Sequence, residues 1–314
     1  MRTDDPRLDP AEPLDPTGEQ FTITSDDGGT TATIAQVGAS LRHLVSGGTD
    51  LVPPYPTGSP TPAGSGIVLV PWPNRVRDGR WNDEGETRQL AISEPAYGNA
   101  SHGLLRFAPY RLAAASPDAV TLTATIFAQT GYPYVLGTAV TYAVTDGALS
   151  ATHVIRNLGA GSAPVALGTH PYFCIGDAPT EDLVLTSSGA TMFTADAQKI
   201  PTGVAAVDAA TDLRAGRRLG DLDLDTAYTD LVRGDDGRVH TTLAAPDGRA
   251  IDVWQGEGFD YVQVFTTDRY PGRPLTVAIE PMTAPADAFN SGRSLRRLAT
   301  GESWTLEWGV TFSA

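Results

Sequence analysis

A single cysteine, Cys174, leaves this chain no intrachain disulfide to form. Its stability has to come from packing, and a reducing compartment is expected. Lysine is equally rare: Lys199 stands alone and arginine supplies every other strong base, which reads as a bias of composition rather than of function. Positive charge is scarce overall, 22 Lys and Arg against 37 Asp and Glu, for a net charge of −15. That balance repels phosphate backbones and anionic membranes, so neither nucleic acid nor a membrane surface is an expected partner. No apolar run approaches the length of a membrane span. The N-terminus "MRTDDPRLDPAEPLDPTGEQ" is acidic and proline-rich, with no apolar signal segment, and a soluble cytoplasmic protein is expected. Long segments of 3.6-residue period are also missing. Alternating βαβ architectures, Rossmann and TIM folds among them, are therefore disfavoured.

What is present is β-texture. In "SWTLEWGVTF", Trp304, Leu306, Trp308, Val310 and Phe312 alternate with Ser303, Thr305, Glu307, Gly309 and Thr311, the period of two of a half-buried strand. "VTLTATIF", "GTAVTYAVTDGALSATHVIRN" and "YVQVFTTD" repeat the theme, with Asp146-Gly147 and Asp247-Gly248 where hairpin turns belong. Residues 1–17 read as a flexible tail, and 18–314 as one all-β domain, a large antiparallel β-sandwich. Nothing in the sequence decides between a monomer and a homodimer.

Metal chemistry has no motif to stand on. His43, His102, His153, His170 and His240 form neither HExxH nor HxH, and one cysteine builds no thiolate site. Asp221-Leu222-Asp223-Leu224-Asp225 imitates the start of a calcium loop. The sixth position is Thr226 instead of glycine and the twelfth Val232 instead of glutamate, so that reading fails. GxSxG, P-loop and GxGxxG patterns are absent.

The informative residues are polar groups in apolar surroundings. Glu280 closes the apolar run "LTVAIEPM", and a buried carboxylate is costly unless paired, hydrogen-bonded or shifted in pKa. Either an arginine neutralises it or it has a proton to move. His170 ends the apolar stretch "VALGTHPYF", as a satisfied core histidine or a catalytic one. Arg75, after Asn74 in "LVPWPNRVRDGRW", is a salt-bridge arginine or a ligand-holding one. His102 in "NASHGLLRF" and Asp225 in "DLDLDTAYTDL" are turn residues or site residues, and Gln263 inside "FDYVQVFTTD" needs a hydrogen-bond partner. Together they form the ingredients of a sugar site. Amide, carboxylate and guanidinium groups hold hydroxyls, Trp72, Tyr172 and Trp254 offer faces for stacking, and one glutamate and one histidine supply a base and an acid.

The ordered series "PNRVRDGRW", "HGLLR", "THPYF", "DTAYTDL", "VQVFTTD" and "IEPMTAPADAFNSG", followed by "LATGESWTLEW", resembles the aldose 1-epimerase (galactose mutarotase) family from about Phe21 to the C-terminus. The resemblance implies a large β-sandwich with an open cleft, a sugar substrate, and no metal or cofactor. By motif it implies Glu280 as catalytic base and His170 as catalytic acid, about a pyranose ring's width apart. Asn74, Arg75, His102, Asp225 and Gln263 would hold the substrate. Cys174-Ile175 stands where galactose-acting members have Asn-Leu, and Asp225 lies in a different context from theirs. These departures bear on which sugar is used, not on the acid and base. The expected reaction is interconversion of the α and β anomers of a free aldohexose. Two other readings are a mutarotase for an anionic sugar, drawn by Arg75, Arg77 and Arg80, and a sugar-binding protein without catalysis.

Overall fold

The period-two segments become strands for the reason their pattern gives. In the strand Ser303–Ser313, Leu306, Trp308 and Val310 are buried while Ser303, Thr305, Glu307 and Thr311 face solvent. The computed structural model describes residues 13–314. Its elements are almost entirely strands; the single α-helix among the described residues is the one-turn Ala288–Ser291.

Two large sheets share one apolar core. The first has nine strands in the order Arg111–Ala115, Ala119–Ile126, Leu136–Thr145, Ala148–Asn157, Ser303–Ser313, Ala250–Gln255, Val239–Ala244, Val184–Ser187 and Arg217–Arg218. The C-terminal strand thus inserts into the middle of the sheet, which spreads its large tryptophans through the core. Asp146-Gly147 makes the expected tight connection, with Thr145 paired to Ala148. Gly309 faces outward yet is buried, because the Trp254 indole lies over it; a Cβ there would come within 2.4 Å of that ring.

The second sheet has eight strands, and it carries the site. Its order is Pro201–Ala206, Thr191–Ala195, Asp225–Thr229, Tyr261–Thr267, Thr276–Met282, Gly168–Thr169 and Val68–Leu69, with Tyr172–Phe173 also pairing to Thr276–Met282. Pairing between these strands is antiparallel throughout. Alternation sends Val262, Val264, Val277 and Ile279 into the core shared with Leu122, Val140 and Trp308. The same alternation sends Gln263, Phe265 and Glu280 to the opposite face. All seven residues of Thr276–Met282 are buried, since neighbouring loops cover that second face. A four-stranded meander (Gln20–Thr24, Thr30–Ala35, Ser40–Ser46, Thr49–Val52) completes the N-terminal part.

Of the expected tail, residues 1–12 lie outside the described residues. Thr17 is fully buried: its N–H donates to Asp15 Oδ1 at 2.8 Å, and its hydroxyl accepts from Arg42 Nη1 at 3.0 Å. Thr17, the last residue of the expected tail, is thus tied to Arg42 of the folded domain.

Candidate active site

The "PWPNR" segment turns sharply at Asn74, whose φ is +55°, and its carbonyl accepts the His102 N–H at 2.7 Å. His102 also has positive φ, +62°, followed by Gly103 at +75°. Asparagine and histidine tolerate this region better than most residues. Gly103 has no alternative, because a Cβ there would sit 2.2 Å from the Val70 carbonyl oxygen. These two turns bring Asn74, Arg75 and His102 to the cleft face of the eight-stranded sheet. The second half of "EPMTAPADAFN" holds the turn from behind. The Asp287 N–H donates to the Arg75 carbonyl at 2.6 Å, and Asp287 Oδ1 accepts the Arg77 N–H at 2.9 Å.

All seven residues expected from the sequence line one cleft of about 770 Å³. Register accounts for the floor: Gln263 is the cross-strand partner of Glu280, and Asp225 enters from the next strand, opposite Phe265. A continuous hydrogen-bonded ribbon runs along the cleft. Glu94 accepts two bonds from Arg75, at 2.7 and 2.9 Å, and Arg75 Nη1 donates to Asn74 Oδ1 at 3.2 Å. Asn74 Nδ2 donates to Gln263 Oε1 at 3.4 Å, and Gln263 Nε2 donates to Asp225 Oδ1 at 2.8 Å. Lys199 Nζ ends the series 3.2 Å from Asp225 Oδ2. Each amide has one orientation consistent with both its neighbours, so the ribbon fixes where donors and acceptors face.

Glu280 and His170 occupy the deepest point, 2% and 5% exposed. Among the described residues the only ionic partner of Glu280 is His170, with Oε1 3.4 Å from Nε2. Its second oxygen, Oε2, has no hydrogen-bond partner. Arg75, the nearest candidate to neutralise it, is committed to Glu94. The pair stands closer than the expected width of a pyranose ring. The reason is topological: His170 lies between Gly168–Thr169 and Tyr172–Phe173, and both segments pair with the strand that carries Glu280.

Burial sets the protonation states. It raises Glu280 well above the usual carboxylate value, with the Asp225 charge adding to the effect and Arg75 opposing it. Burial lowers His170 to about 4, with Arg75 lowering it further while its own backbone and Asp225 pull upward. His102 is pushed well below its ordinary value by burial first, then by His170 and Arg75, and is neutral. Its ring meets that of His170 edge-on at 5.3 Å, and its Nδ1 has no partner. Burial lowers Arg75, but the Glu94 pair more than compensates and holds it charged. At the floor of the cleft, burial thus disfavours both the charged imidazole of His170 and the charged carboxylate of Glu280, 3.4 Å apart.

Three expectations are corrected. Trp72, Tyr172 and Trp254 offer no platform to a ligand. Trp72 packs edge-on against Phe289 at 5.3 Å, Tyr172 is fully buried behind His170, and Trp254 lies beneath the Arg238 guanidinium. The aromatic residues lining the cleft are Tyr97 and Phe265. The basic cluster is dispersed as well: Arg77 is paired with Asp196 at 2.6 Å, and Arg80 is exposed and outside the cleft lining. Lys199, which composition alone made unremarkable, lines the cleft. Glu94 and Tyr97 also escaped sequence reading, since nothing in "SEPAYGN" distinguishes a site loop from any other. Among the described residues no group of three or more His, Cys, Asp or Glu could hold a metal ion. No helix among them is long and apolar enough to cross a membrane.

A sequence model of the aldose 1-epimerase family matches residues 19–311. The chain belongs to the aldose 1-epimerase family. Within reach of this family member is the uncharacterized protein YihR of Escherichia coli K12, 29% identical over 281 residues, which cover 89% of either chain. The fold of this chain is similar to that of the GalM/aldose epimerase homologue from C. elegans, with a TM-score of 0.81 at 19% identity, covering 94% of this chain and 99% of that one. Galactose 1-epimerase from Lactobacillus acidophilus NCFM gives 0.77 at 19% identity, with 94% of each chain covered. The mutarotase-like β-sandwich read from the sequence is thus the fold of this epimerase-family chain.

Proposed function

We propose that the protein interconverts the α and β anomers of a free, neutral aldohexose by general acid–base catalysis. The observation that carries this reading is the buried Glu280–His170 contact of 3.4 Å, with Glu280 Oε2 unpartnered, at the floor of a cleft lined with sugar-binding groups. Anomerisation acts on two oxygens attached to the same carbon, the anomeric O1 and the ring oxygen O5. A base and an acid in mutual contact address that pair of atoms without straddling the ring.

In the proposed step the pair starts with one proton, on Glu280. Moving it from Glu280 to His170 gives a carboxylate beside an imidazolium, a state Arg75 favours at Glu280. Glu280 takes the O1 proton while His170 protonates O5. The C1–O5 bond breaks, C1–O1 becomes a carbonyl, and the pair again holds one proton, now on Glu280. Rotation about C1–C2 presents the other face of the aldehyde. Reclosure with both transfers reversed gives the other anomer. A positioned acid and base each contribute about 10²–10⁴-fold.

A neutral sugar is favoured by the lining, where the carboxylates Glu94, Asp223, Asp225 and Asp268 outnumber the cations Arg75, Lys199 and Arg269. A sugar-binding protein without catalysis would gain nothing from a desolvated Glu–His contact, which supports the enzyme. The test is exchange NMR or polarimetry on fresh α-glucose, α-galactose and an anionic hexose, with Glu280→Gln as control. Anomerisation no faster than in buffer for every sugar would overturn the proposal.

A further inference from the structure

The chain's only lysine is delivered to the cleft by a turn with unusually many ties. Asp196 and Ile200 close it, with Asp196 N–H donating to the Ile200 carbonyl at 3.0 Å and Lys199 N–H to the Asp196 carbonyl at 2.9 Å. Lys199 itself sits at φ +63°, a region a lysine adopts only when its surroundings insist on it. Those surroundings come from the opposite wall. Arg77 donates to Asp196 Oδ2 at 2.6 Å and to Gln198 Oε1 at 2.8 Å. Asn99 Nδ2 donates to the Gln198 carbonyl at 2.8 Å, and Gln198 Nε2 to Asp78 Oδ1 at 3.0 Å. The turn is bolted to the two loops that also carry Arg75 and His102.

We propose that Lys199 is a specificity-determining residue which, paired with Asp225, reads two adjacent hydroxyls of the sugar away from its anomeric carbon; this rests on the epimerase reading above. As a mere ion pair, a contact between side chains 38% and 23% exposed is worth little and would not require so constrained a turn. As a reader it is well equipped. The ammonium has three N–H donors and one facing anion, Asp225 Oδ2 at 3.2 Å, so donors remain for the cleft. Asp225 accepts from Gln263 at Oδ1 and faces the ammonium with Oδ2, and a carboxylate oxygen has a second lone pair to offer. Donor and acceptor atoms 3.2 Å apart match the spacing of neighbouring hydroxyl oxygens on a pyranose. One hydroxyl accepts from Lys199 while its neighbour donates to Asp225. Asp225 lies two strands from Glu280, roughly 10 Å between backbones, which sets the pair across the ring from the reacting atoms. The ammonium is already matched by Asp225, so it suits a hydroxyl better than an anion.

The experiment pairs enzyme variants with substrate variants. Anomerisation of a neutral hexose and of its monodeoxy analogues is followed by exchange NMR for wild type and Lys199→Met, whose side chain keeps the aliphatic stem. Wild type should lose about 10–100-fold in kcat/KM for deoxygenation at either of two adjacent positions, the cost of a missing hydrogen bond to a charged group. Lys199→Met should lose a similar factor on the parent sugar through KM, with kcat and Tm unchanged. It should then lose less than about twofold more on the analogue lacking the lysine-bound hydroxyl. A uniform loss across all analogues, or none, overturns the proposal. So does a loss confined to a hexose with a carboxylate or sulfonate at C6, which would make Lys199 an anion reader. If wild type anomerises no sugar, the same panel is examined by saturation-transfer NMR. Binding with the same paired pattern keeps the role of Lys199 and overturns only the catalytic reading, whereas no binding overturns both.

Discussion

Two carboxylates are buried to nearly the same degree, Asp83 at 4% exposure and Glu280 at 2%, and they are treated in opposite ways. Asp83 is saturated. Tyr134 donates its hydroxyl at 2.7–2.8 Å, Arg297 Nη2 donates at 3.0 Å, and Arg88 stands at 3.5 Å. Glu280 has one long contact with a histidine that burial keeps neutral, and an oxygen facing nothing. A carboxylate supplied with cations and donors ties segments together. One denied them keeps its proton within reach and is ready to exchange it. Burial alone does not distinguish structure from chemistry; the completeness of the partner set does.

The comparison is broken most directly at Glu280. Glu280→Gln should lower the anomerisation rate by about two to four orders of magnitude while sugar affinity survives. Because the wild-type carboxyl is desolvated and half-unpartnered, the variant should melt no earlier than wild type. Early melting with a matching loss of activity would make Glu280 structural after all. Asp83→Ala should show the reverse. Removing the acceptor strands Arg297 and Tyr134 and should cost on the order of 3–5 kcal/mol, read as a lower urea midpoint, with the rate per folded molecule unchanged. A change in kcat at full folding would connect Asp83 to the cleft.

Acidification sharpens the same contrast. The proposed mechanism needs one proton on the Glu280–His170 pair. As pH falls through about 4, His170 gains a second proton for the pair, no base remains, and kcat/KM should decline about tenfold per unit below that point. The loss appears on the acid side because burial depresses the imidazole. A limb near 6.5 would mean that His170 titrates as though solvated. The smallest effect is expected at Arg77, which touches the turn that carries Lys199 and not the pair. Arg77→Met should raise KM about two- to fivefold with kcat intact, and an unchanged KM would show that the turn holds its place without it.

The strands and the cleft's floor were legible in the sequence because both follow from alternation. A polar residue breaking an apolar strand, as Glu280 and Gln263 do, must face something other than the core. Histidine and asparagine beside glycine or proline mark turns that aim a side chain, which located His102 and Asn74. What escaped depends on contacts between distant segments. Glu94 acquires its role only when Arg75 arrives from 19 positions earlier, and Gln198 only when Arg77 arrives from 121. The tryptophans misled for a related reason. Trp72 and Trp254 stand in apolar stretches, and their area is worth more in the core than at a wet cleft. Arg77 and Arg80 are near Arg75 in sequence, but Arg77 is taken up by Asp196 and Gln198, and the chain turns at Asp78, with φ +52°, before Arg80.

The bolted turn at Asp196–Ile200 has an evolutionary consequence. It is five residues at the end of a hairpin, between the strands Thr191–Ala195 and Pro201–Ala206, apart from the strand that carries Glu280. A lineage can lengthen, shorten or rewrite it and present a different group to the far side of the ring, leaving Glu280 and His170 undisturbed on their central strands. On the proposed roles, Lys199 and the proton-transfer pair stand on separate pieces of chain. If those roles hold, change in the turn need not disturb the pair, and one proton-transfer site could be refitted to a new sugar through a single turn.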